Sequence, residues 1–301
     1  MPVAPASGIV RAESFDAPVH APVVIVGGGA CGLVASIVLR DQGVNCVVVE
    51  RDETPGGSTA LSSGFIPAAG TRMQHSLGIG DSPDLFAEDI FAKSKGTAAP
   101  HLVRAYTEAC APAIDHLGTH GLRFEVLTNF LYPGHRVHRM HSLPERSGAA
   151  LVAALHRVAI EASADVLTSA QVTDLIVNDL DHVLGVRAVR PSGAVEHIAC
   201  NTLLLACNGF GGNRDMVGEH IAQMRDAIFA GHRGNDGSAV RWGRALGAAM
   251  ADLGAYQGHG SWIVPQGALM SWAVMMCGGI QLNALGKRFH DETQGYSEAA
   301  V

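Results

Sequence analysis

The sequence predicts an α/β fold in which buried parallel strands are combined with a β-meander. Three observations predict it. The apolar run VVIV at 23–26 is followed by glycines, a helical pattern and a second apolar run closed by Glu50, which is the order of a βαβ unit. Short alternating segments between Val166 and Cys200 indicate the meander. The late run TLLLA at 202–206 indicates one more buried strand.

The individual elements follow from periodicity and from residues that start or stop them. Strands are predicted over 23–26, 44–49 and 202–206, and the meander over the four segments VLTS, VTDLIV, VLGVRAV and VEHIAC. Helices are predicted over 32–42, 82–96, 100–120, 147–162 and 238–250. Residues 56–72 are expected to form a loop of small residues, and residues 123–146 to be irregular.

The composition excludes several classes of protein. A chain of 301 residues that is 48% hydrophobic has material for one large domain or two ordinary ones. The net charge of −7, without a block of lysine and arginine, argues against a nucleic-acid partner. Two long uncharged stretches, 21–39 and 258–286, contain glycine clusters or polar residues, so no membrane span is predicted.

The cysteines and the first residues indicate a cytoplasmic protein. The six cysteines form no CxxC pair, as expected of free thiols in a reducing compartment. Residues 1–20 contain charges and prolines without an apolar core, and are predicted to be a loose leader and not a signal peptide.

The glycine cluster at 27–32 (GGGACG) is the strongest chemical signal. Gly27 permits a tight turn from strand to helix, Gly29 lets the backbone approach a pyrophosphate, and Gly32 lets the helix pack on the strand. Glu50, at the end of the next strand, can accept both hydroxyls of a ribose and disfavours a 2′-phosphate. For the glycines alone, a turn in an unrelated α/β protein is the alternative. The pattern predicts a Rossmann-like dinucleotide-binding domain.

The order of the later elements favours FAD over NAD. A plain NAD dehydrogenase continues with another βα unit soon after the acidic residue, whereas this chain continues with a small-residue loop, a helical insertion and the meander. The chain then resembles one family specifically, through VVIVGGGACGLVAS, GGSTALSSGFIPAAGT, DSPDLFAEDI, LLLACNGFGGN, GRALGAAM and LNALGKRFHDE. It looks like the flavoproteins that comprise soluble fumarate reductases, succinate dehydrogenase flavoprotein subunits and 3-ketosteroid dehydrogenases, over about residues 20–298.

The resemblance implies a set of FAD contacts. They comprise the glycine turn, the ribose carboxylate, a second loop beside the pyrophosphate and flavin, and a backbone contact on the adenine side: Gly27, Gly29, Ala30, Cys31, Gly32, Glu50, Gly57, Ser58, Thr59, Ser63, Gly64 and Val172. Covalent family members attach FAD through a histidine near the second loop. Residues 51–74 contain no histidine, which implies non-covalent FAD.

Two further regions of the sequence, the start of the helix at 238 and the histidines at 135–141, are candidates for ligand contacts. Where the family has an aspartate at the start of the last helix of this domain, this chain has Ser238, with Asp236 nearby, and capping that helix is the alternative role for either residue. His135, His138 and His141 are spaced so that they would not share a face, and no metal site is predicted. The resemblance allows His138 or Arg139 to meet a substrate.

His259 and Tyr296 are the predicted catalytic residues. His259, in YQGHGSW, matches a family histidine that hydrogen-bonds an anionic substrate, in a Gln-x-His-Pro-Thr motif. Tyr296 falls where fumarate reductases keep a proton-donating arginine, and resembles the tyrosine that 3-ketosteroid dehydrogenases place after their own RFxxE segment. The alternatives are a histidine at a domain boundary without a ligand, and a tyrosine that merely packs.

Other charged positions of fumarate reductases have become apolar. Their relay glutamate and arginine fall on Trp272 and Met275, and a carboxylate-binding threonine falls on Ser271. An apolar wall cannot hold two carboxylates or relay a proton, so fumarate itself is not the expected substrate.

The expected function is that of an FAD-dependent oxidoreductase acting on a CH–CH bond next to a carbonyl or carboxylate. It would use a small-molecule substrate and an electron donor or acceptor that the sequence does not identify. The alternatives are an amine or hydroxy-acid oxidase, and a non-catalytic FAD-binding fragment. The predicted domains are the leader (1–20), the FAD-binding domain (21–256) and the start of an α+β cap domain (257–301). In the resembling family the chain returns from the cap to the FAD domain after this position, and five residues after Tyr296 cannot do so. The resemblance therefore implies that the chain is an N-terminal piece of a longer protein.

Overall fold

Twelve β-strands occur in residues 8–300, the part of the chain that the computed structural model describes. They are β1 (Gly8–Arg11), β2 (Val19–Val26), β3 (Cys46–Val49), β4 (Ile66–Pro67), β5 (Glu125–Val126), β6 (Met140–Ser142), β7 (Asp165–Leu167), β8 (Gln171–Val177), β9 (Val183–Val189), β10 (Val195–Leu205), β11 (Trp262–Ile263) and β12 (Ala268–Leu269). Seven strands form one sheet in the order β1-β8-β9-β10-β2-β3-β7. Two small sheets, β4-β6-β5 and β11-β12, contain the others.

The same residues form nine α-helices. They are α1 (Ala30–Asp41), α2 (Gly57–Ala60), α3 (Arg72–Ser76), α4 (Pro83–Lys93), α5 (Pro100–Thr119), α6 (Gly148–Glu161), α7 (Arg214–His220), α8 (Ser238–Ala245) and α9 (Ala273–Met276). Short 3₁₀ helices lie at Ala222–Met224, Glu292–Gln294 and Glu298–Ala300. None of the helices within residues 8–300 combines the length and apolarity that crossing a bilayer requires.

The chain divides into two compact units, each made of two segments. Unit 1 comprises residues 1–65 and 145–251, and unit 2 comprises residues 66–144 and 252–301. Unit 1 contains the seven-stranded sheet, and unit 2 contains both small sheets. This division differs from the predicted ranges 21–256 and 257–301, which concern a cofactor domain and a cap and stay a prediction.

The parallel part of the large sheet confirms the predicted α/β class. β2 pairs in parallel with β3 and with β10, and β3 pairs in parallel with β7. Parallel strands require crossover connections, and α1 and α6 supply helices ahead of β3 and β7. The apolar side chains of these strands and of the meander share one core cluster, which includes Val24, Val49, Val186, Ile198 and Trp242.

The predicted meander is correct for three strands and wrong for one. β8, β9 and β10 are antiparallel neighbours. The segment VLTS, however, belongs to β7, which lies at the far edge of the sheet beside β3. The reason is its connection: β7 follows α6 after three residues, and a strand that follows such a helix can return in parallel to β3.

Two further predictions are wrong: two predicted strands are one, and the leader contains strand residues. The segments VEHIAC and TLLLA form one strand, β10, which pairs with β9 over Val195–Ala199 and with β2 over Ile198–Leu205. Asn201 between them stays extended, because both of its neighbours remain paired to β2. Part of the predicted loose leader is also ordered: β1 pairs in parallel with β8, and Val19 already belongs to β2. Residues 1–7 lie outside the described residues.

All five predicted helices are confirmed, and capping residues account for several of their boundaries. Ser82 and Ser147 accept backbone hydrogen bonds at the N-termini of α4 and α6. Helix α8 ends at Ala245 and not at residue 250, because Gly247 adopts a left-handed conformation (φ +72°) that terminates it. The predicted loop 56–72 contains α2 and β4, and the segment 123–146, expected to be irregular, contains β5 and β6.

A buried ion-pair network anchors unit 2. Arg139 has no exposed side-chain surface, and its guanidinium lies 3.0 Å from Asp81 and 2.7 Å from Asp89. Burial by itself would raise the pKa of Asp89, but hydrogen bonds from Arg136 and the charge of Arg139 lower it overall. Because the guanidinium of Arg139 is fully buried and its charge is paired with two internal carboxylates, the hypothesis that it meets a substrate is wrong.

Replacing Arg139 with leucine should destabilise the protein by about 3–5 kcal/mol, because the buried Asp81 would lose its counter-ion and Asp89 would keep only Arg136. The free energy of unfolding, from urea denaturation at neutral pH, measures this loss. Since the lowered pKa of Asp89 contributes stability only while its carboxylate is ionised, the difference between the variant and the wild type should shrink as the pH falls through that pKa.

Arg104→Leu is the matched control, because Arg104 forms an exposed i,i+4 pair with Glu108. It should change stability by less than about 1 kcal/mol. Equal effects of the two substitutions would contradict a special role for the Arg139 network.

Candidate functional site

A groove opens at the carboxyl ends of the parallel strands of unit 1. Strands β2, β3 and β10 all end there, which is where ligands bind in open α/β sheets. The residues that line the groove include five of the predicted cofactor contacts, namely Gly27, Gly29, Glu50, Gly57 and Val172. The sheet topology therefore brings together residues that lie far apart in sequence.

The turn between β2 and α1 can be built only with glycines. Gly27 has φ +112°, and a Cβ atom there would lie 2.6 Å from the carbonyl oxygen of Ala206. A Cβ atom on Gly32 would lie 2.0 Å from the carbonyl oxygen of Gly27. These contacts are closer than any real Cβ contact, so both positions keep the backbone of the turn tight against its neighbours.

The N-terminus of α1 faces this turn. Its N-cap residue is Gly29, which has no side chain to occupy the first-turn amides. Ala30 N–H donates to Thr59 Oγ1 at 3.1 Å, so α1 and α2 are joined at this point. Cys31 is exposed in the first turn. Free amides and the positive end of the helix dipole at this position suit a phosphate.

Glu50 is a buried carboxylate, 5% exposed, held by backbone donors. Its Oε2 accepts from Gly28 N–H at 2.6 Å and its Oε1 accepts from Asp52 N–H at 2.9 Å. Each carboxylate oxygen has a second lone pair, so Glu50 can accept further hydrogen bonds from a ribose.

The second predicted loop contacts the groove at residues 57–58 and the N-terminus of α6 at Gly64. Ser58 Oγ accepts from His232 N–H and from the Asn235 amide, both at 3.1 Å. Gly57 and Gly64 have positive φ angles, and a Cβ atom on Gly64 would lie 2.8 Å from the carbonyl oxygen of Ser147. Ser63 is exposed. Val172 is buried in β8, where its backbone pairs with β9.

A loop at 229–237, which the sequence analysis did not assign to the site, completes the groove. His232 pairs with Asp52 at 3.0 Å, and Arg51 donates to the carbonyl oxygen of Gly234 at 2.8 Å. Asp236 accepts from Ser238 N–H at 2.9 Å, which supports the first turn of α8, although the N-cap residue itself is Gly237. The glycines in GHRGNDG were the available signal for this loop.

In unit 2, the two predicted catalytic residues are in contact. The rings of His259 and Tyr296 stack at a centroid distance of 4.8 Å and an angle of 15°. Trp272 stands edge-on to both rings at 6.2 Å. Tyr132 is edge-on to Tyr296 at 6.1 Å, and His290 to Trp272 at 6.4 Å. We call these five residues the aromatic cluster.

The backbone around His259 explains why glycine replaces the proline of the family motif. Gly260 N–H donates to the carbonyl oxygen of Tyr296 at 3.0 Å. A Cβ atom on Gly260 would lie 2.5 Å from the carbonyl oxygen of Ala299. The segment that contains Tyr296 therefore packs directly on the backbone next to His259, and this contact positions the two rings.

Hydrogen bonds and burial set the protonation of the two rings. Gln257 Nε2 donates to Tyr296 Oη at 2.6 Å, so the phenol keeps its own hydrogen for donation. Burial raises the pKa of Tyr296, and the hydrogen bond from Gln257 offsets only part of that effect. Burial lowers the pKa of His259. At neutral pH the cluster therefore contains a protonated phenol beside a neutral imidazole.

The wall beside these rings is apolar, with one polar atom left unsatisfied. Trp272 is 3% exposed and Met275 is also buried. Among the residues that the structure describes, Trp272 Nε1 is buried without a hydrogen-bond partner. An unpaired buried N–H is costly, so this position suits an acceptor on a ligand.

Comparison with known proteins identifies the class of the chain. A family model described as an FAD binding domain matches residues 22–301. The chain belongs to this FAD-binding family, and its cofactor is FAD. The glycine turn and the N-terminus of α1 fit the pyrophosphate of that cofactor, and the buried Glu50 fits its ribose.

Individual proteins resemble the chain at low sequence identity. The chain is 30% identical over 280 residues to an NADH:fumarate oxidoreductase of Klebsiella pneumoniae, covering 92% of this chain and 30% of the relative. An open flavocytochrome c3 fumarate reductase aligns with a TM-score of 0.82 and 27% identity, over 94% of this chain and 50% of that one. A 3-ketosteroid-Δ4-(5α)-dehydrogenase from Rhodococcus jostii shares the fold, with a TM-score of 0.78 and 23% identity over 97% of this chain and 65% of that one. The chain spans half or less of the first curated relatives it matches.

Gly32→Ala should weaken FAD binding by about tenfold or more, because the new methyl group overlaps the Gly27 carbonyl and displaces the turn. Fluorescence titration of the apoprotein with FAD measures the change. The control is Gly118→Ala, at an exposed helical position where a Cβ atom meets nothing within 4 Å. That variant should bind FAD like the wild type, and unchanged binding by Gly32→Ala would contradict the role given to the turn.

Proposed function

We propose that the protein is an FAD-dependent oxidoreductase that acts on a CH–CH bond adjacent to a carbonyl or carboxylate, and that fumarate itself is not its substrate. The observation that supports this most directly is the half-buried Tyr296 phenol, stacked on a neutral His259 and hydrogen-bonded by Gln257. The named activity of relatives such as the NADH:fumarate oxidoreductase is the reduction of such a bond.

The chemistry divides between cofactor and chain. FAD, when bound, supplies the two-electron oxidation or reduction. Tyr296 supplies or removes the accompanying proton at Oη. Because the amide of Gln257 donates to this oxygen, the phenol hydrogen points elsewhere and is available to a substrate carbon. A raised pKa keeps that hydrogen in place at neutral pH, which favours proton donation and hence reduction of a C=C bond.

The surroundings favour an apolar substrate that carries an oxygen acceptor. Buried Trp272 presents an apolar surface to both rings, and its Nε1–H lacks a hydrogen-bond partner, so it can donate to a carbonyl oxygen of the substrate. Fumarate needs two carboxylates clamped by cations. The positions expected from the resemblance to hold a relay glutamate and arginine are Trp272 and Met275 here, and Arg288 is paired internally with Glu292.

We further infer a reducing compartment such as the cytoplasm. All six cysteines are free, and three of them are buried, which is typical of thiols that never met an oxidising environment.

The function is tested with the full chain, reconstituted with FAD and reduced anaerobically by NADH or by reduced methyl viologen. Reoxidation by an α,β-unsaturated ketone, ester or carboxylate is the expected result, with fumarate slower than the neutral compounds. Rapid oxygen consumption with amines or hydroxy acids, without reaction of any unsaturated compound, would replace the proposal by an oxidase. Retention of FAD without either reaction would indicate a non-catalytic flavin-binding protein.

Tyr296→Phe should lower kcat about 10²–10⁴-fold, because the ring stack remains while the proton is lost. FAD affinity should not change. The kcat of the wild type should stay constant with rising pH up to the ordinary range of a phenol, about pH 10, because the raised pKa delays deprotonation.

Tyr256→Phe is the matched control, since Tyr256 is exposed and takes no part in the cluster. Its kcat should equal that of the wild type. A Tyr296→Phe enzyme with wild-type kcat would show that Tyr296 only packs.

A further inference from the structure

The hydroxyl of Ser261 has only one hydrogen, and the structure shows where it goes. Ser261 Oγ lies 2.8 Å from the carbonyl oxygen of Met270 and 2.8 Å from His259 Nδ1. A carbonyl oxygen can only accept, so the hydroxyl hydrogen is donated to Met270. Towards His259, the hydroxyl oxygen can then act only as an acceptor.

The histidine must therefore donate from Nδ1. In a neutral imidazole one nitrogen is a donor and the other is an acceptor. A hydrogen on Nδ1 leaves a lone pair on Nε2. Within residues 8–300 no hydrogen-bond partner of His259 Nε2 is found, so this lone pair is available to a ligand.

The hairpin of β11 and β12 holds this arrangement in place. Trp262 pairs with Leu269, so Ser261 and Met270 face each other at the open end of the hairpin. Met270 N–H also donates to the carbonyl oxygen of Ser261 at 3.0 Å. Ser261 is only 6% exposed, so solvent does not compete for its hydroxyl. A rigid, buried pair of hydrogen bonds thus determines the tautomer.

We propose that Ser261 is a positioning residue that holds His259 as the Nδ1–H tautomer, so that the site selects neutral substrates with an O–H or N–H donor over carboxylates. A lone pair on Nε2 attracts a hydrogen-bond donor and repels the oxygens of a carboxylate. This inference rests on the proposed function, because it specifies the substrate class of the same site.

The charges around His259 agree with this selection. The titratable groups that face it are Tyr296, stacked on the ring, and beyond it Tyr132 and His290 across the aromatic cluster. Burial is the cause of the lowered pKa of His259, without a contribution from a charged neighbour. A carboxylate would therefore be accepted only when the imidazole gains a second proton at acidic pH.

The tautomer is tested directly by ¹⁵N NMR of the full chain with labelled histidine, assigned by comparison with His259→Gln. Wild type should show a protonated Nδ1 and an unprotonated Nε2 for His259 at pH 8. Ser261→Ala should populate the Nε2–H tautomer, and Ser261→Thr, which keeps the hydroxyl, should restore the wild-type signal. A wild-type spectrum with Nε2–H, or a Ser261→Ala spectrum identical to the wild type, would overturn the proposal whether or not any activity is found.

Selectivity is tested with fumarate and fumaramide, which share a carbon skeleton but differ in charge and in N–H donors. Binding is followed by the change in flavin absorbance of the full chain at pH 8. Wild type and Ser261→Thr should prefer fumaramide, and Ser261→Ala should shift the ratio of the two dissociation constants towards fumarate by about tenfold. The preference of the wild type should also decline as the pH falls.

The two arms separate this inference from the proposed function. The predicted tautomer with no reaction of any unsaturated compound would leave the positioning role intact and remove the proposed function. An enzyme that reacts with unsaturated compounds, but has the same ratio of dissociation constants in wild type and Ser261→Ala, would support the proposed function and remove the selectivity role of Ser261.

Discussion

The pairing of β10 with β2 is the constraint on which unit 1 depends. β10 begins as the last strand of an antiparallel meander and continues as the parallel neighbour of β2. This one strand therefore fixes the position of the meander relative to the glycine turn. Its end places Ala206 against Gly27, where a Cβ atom would clash at 2.6 Å. The groove exists because the carboxyl ends of β2, β3 and β10 are held level by these backbone hydrogen bonds.

In unit 2 the decisive constraint is desolvation. Tyr296 and His259 are half-buried and stacked on each other, and burial shifts the pKa of each towards its neutral form. Neutral groups still need hydrogen-bond partners, and Gln257 and Ser261 supply them in defined directions. The amide makes the phenol a donor, whereas the hydroxyl makes the imidazole nitrogen on the opposite side an acceptor. Burial thus favours the neutral form of each ring, and the hydrogen bonds make the phenol a donor and the imidazole Nε2 an acceptor.

The parts of this structure that sequence could predict are those governed by local pattern. The strand, turn and helix at 23–42 were predictable because glycine spacing and β-branched runs each have one favourable local conformation. The long β10 was not, because no turn residue interrupts it and its two neighbours, β9 on one side and β2 on the other, overlap along its length. The position of β7 was missed because strand order depends on the connecting helix and not on the strand residues.

The same distinction holds for the sites. His259 and Tyr296 could be singled out by motif and register, but their stacking depends on Gly260, whose backbone contact with Tyr296 spans 36 positions in the chain. The loop at 229–237 was missed because its contacts to the groove run largely through backbone groups, which any residue offers. Arg139 was misjudged for the opposite reason: a basic residue near a predicted site suggests an anion, and only the structure shows that two internal carboxylates already neutralise it.

The two departures of the motif at 257–261 from the family pattern have one physical explanation. Replacing proline by Gly260 allows residues 296–299 to approach until backbone touches backbone, which brings a phenol onto the histidine ring. Replacing threonine by Ser261 retains a hydroxyl that Met270 and His259 both engage. A site built for a dianion needs donors and positive charge, whereas these two changes produce a neutral stack with one donor and one acceptor. Under the proposed function, these two changes suit a substrate held by hydrogen bonds and not by opposite charges, within the FAD-binding fold of the family.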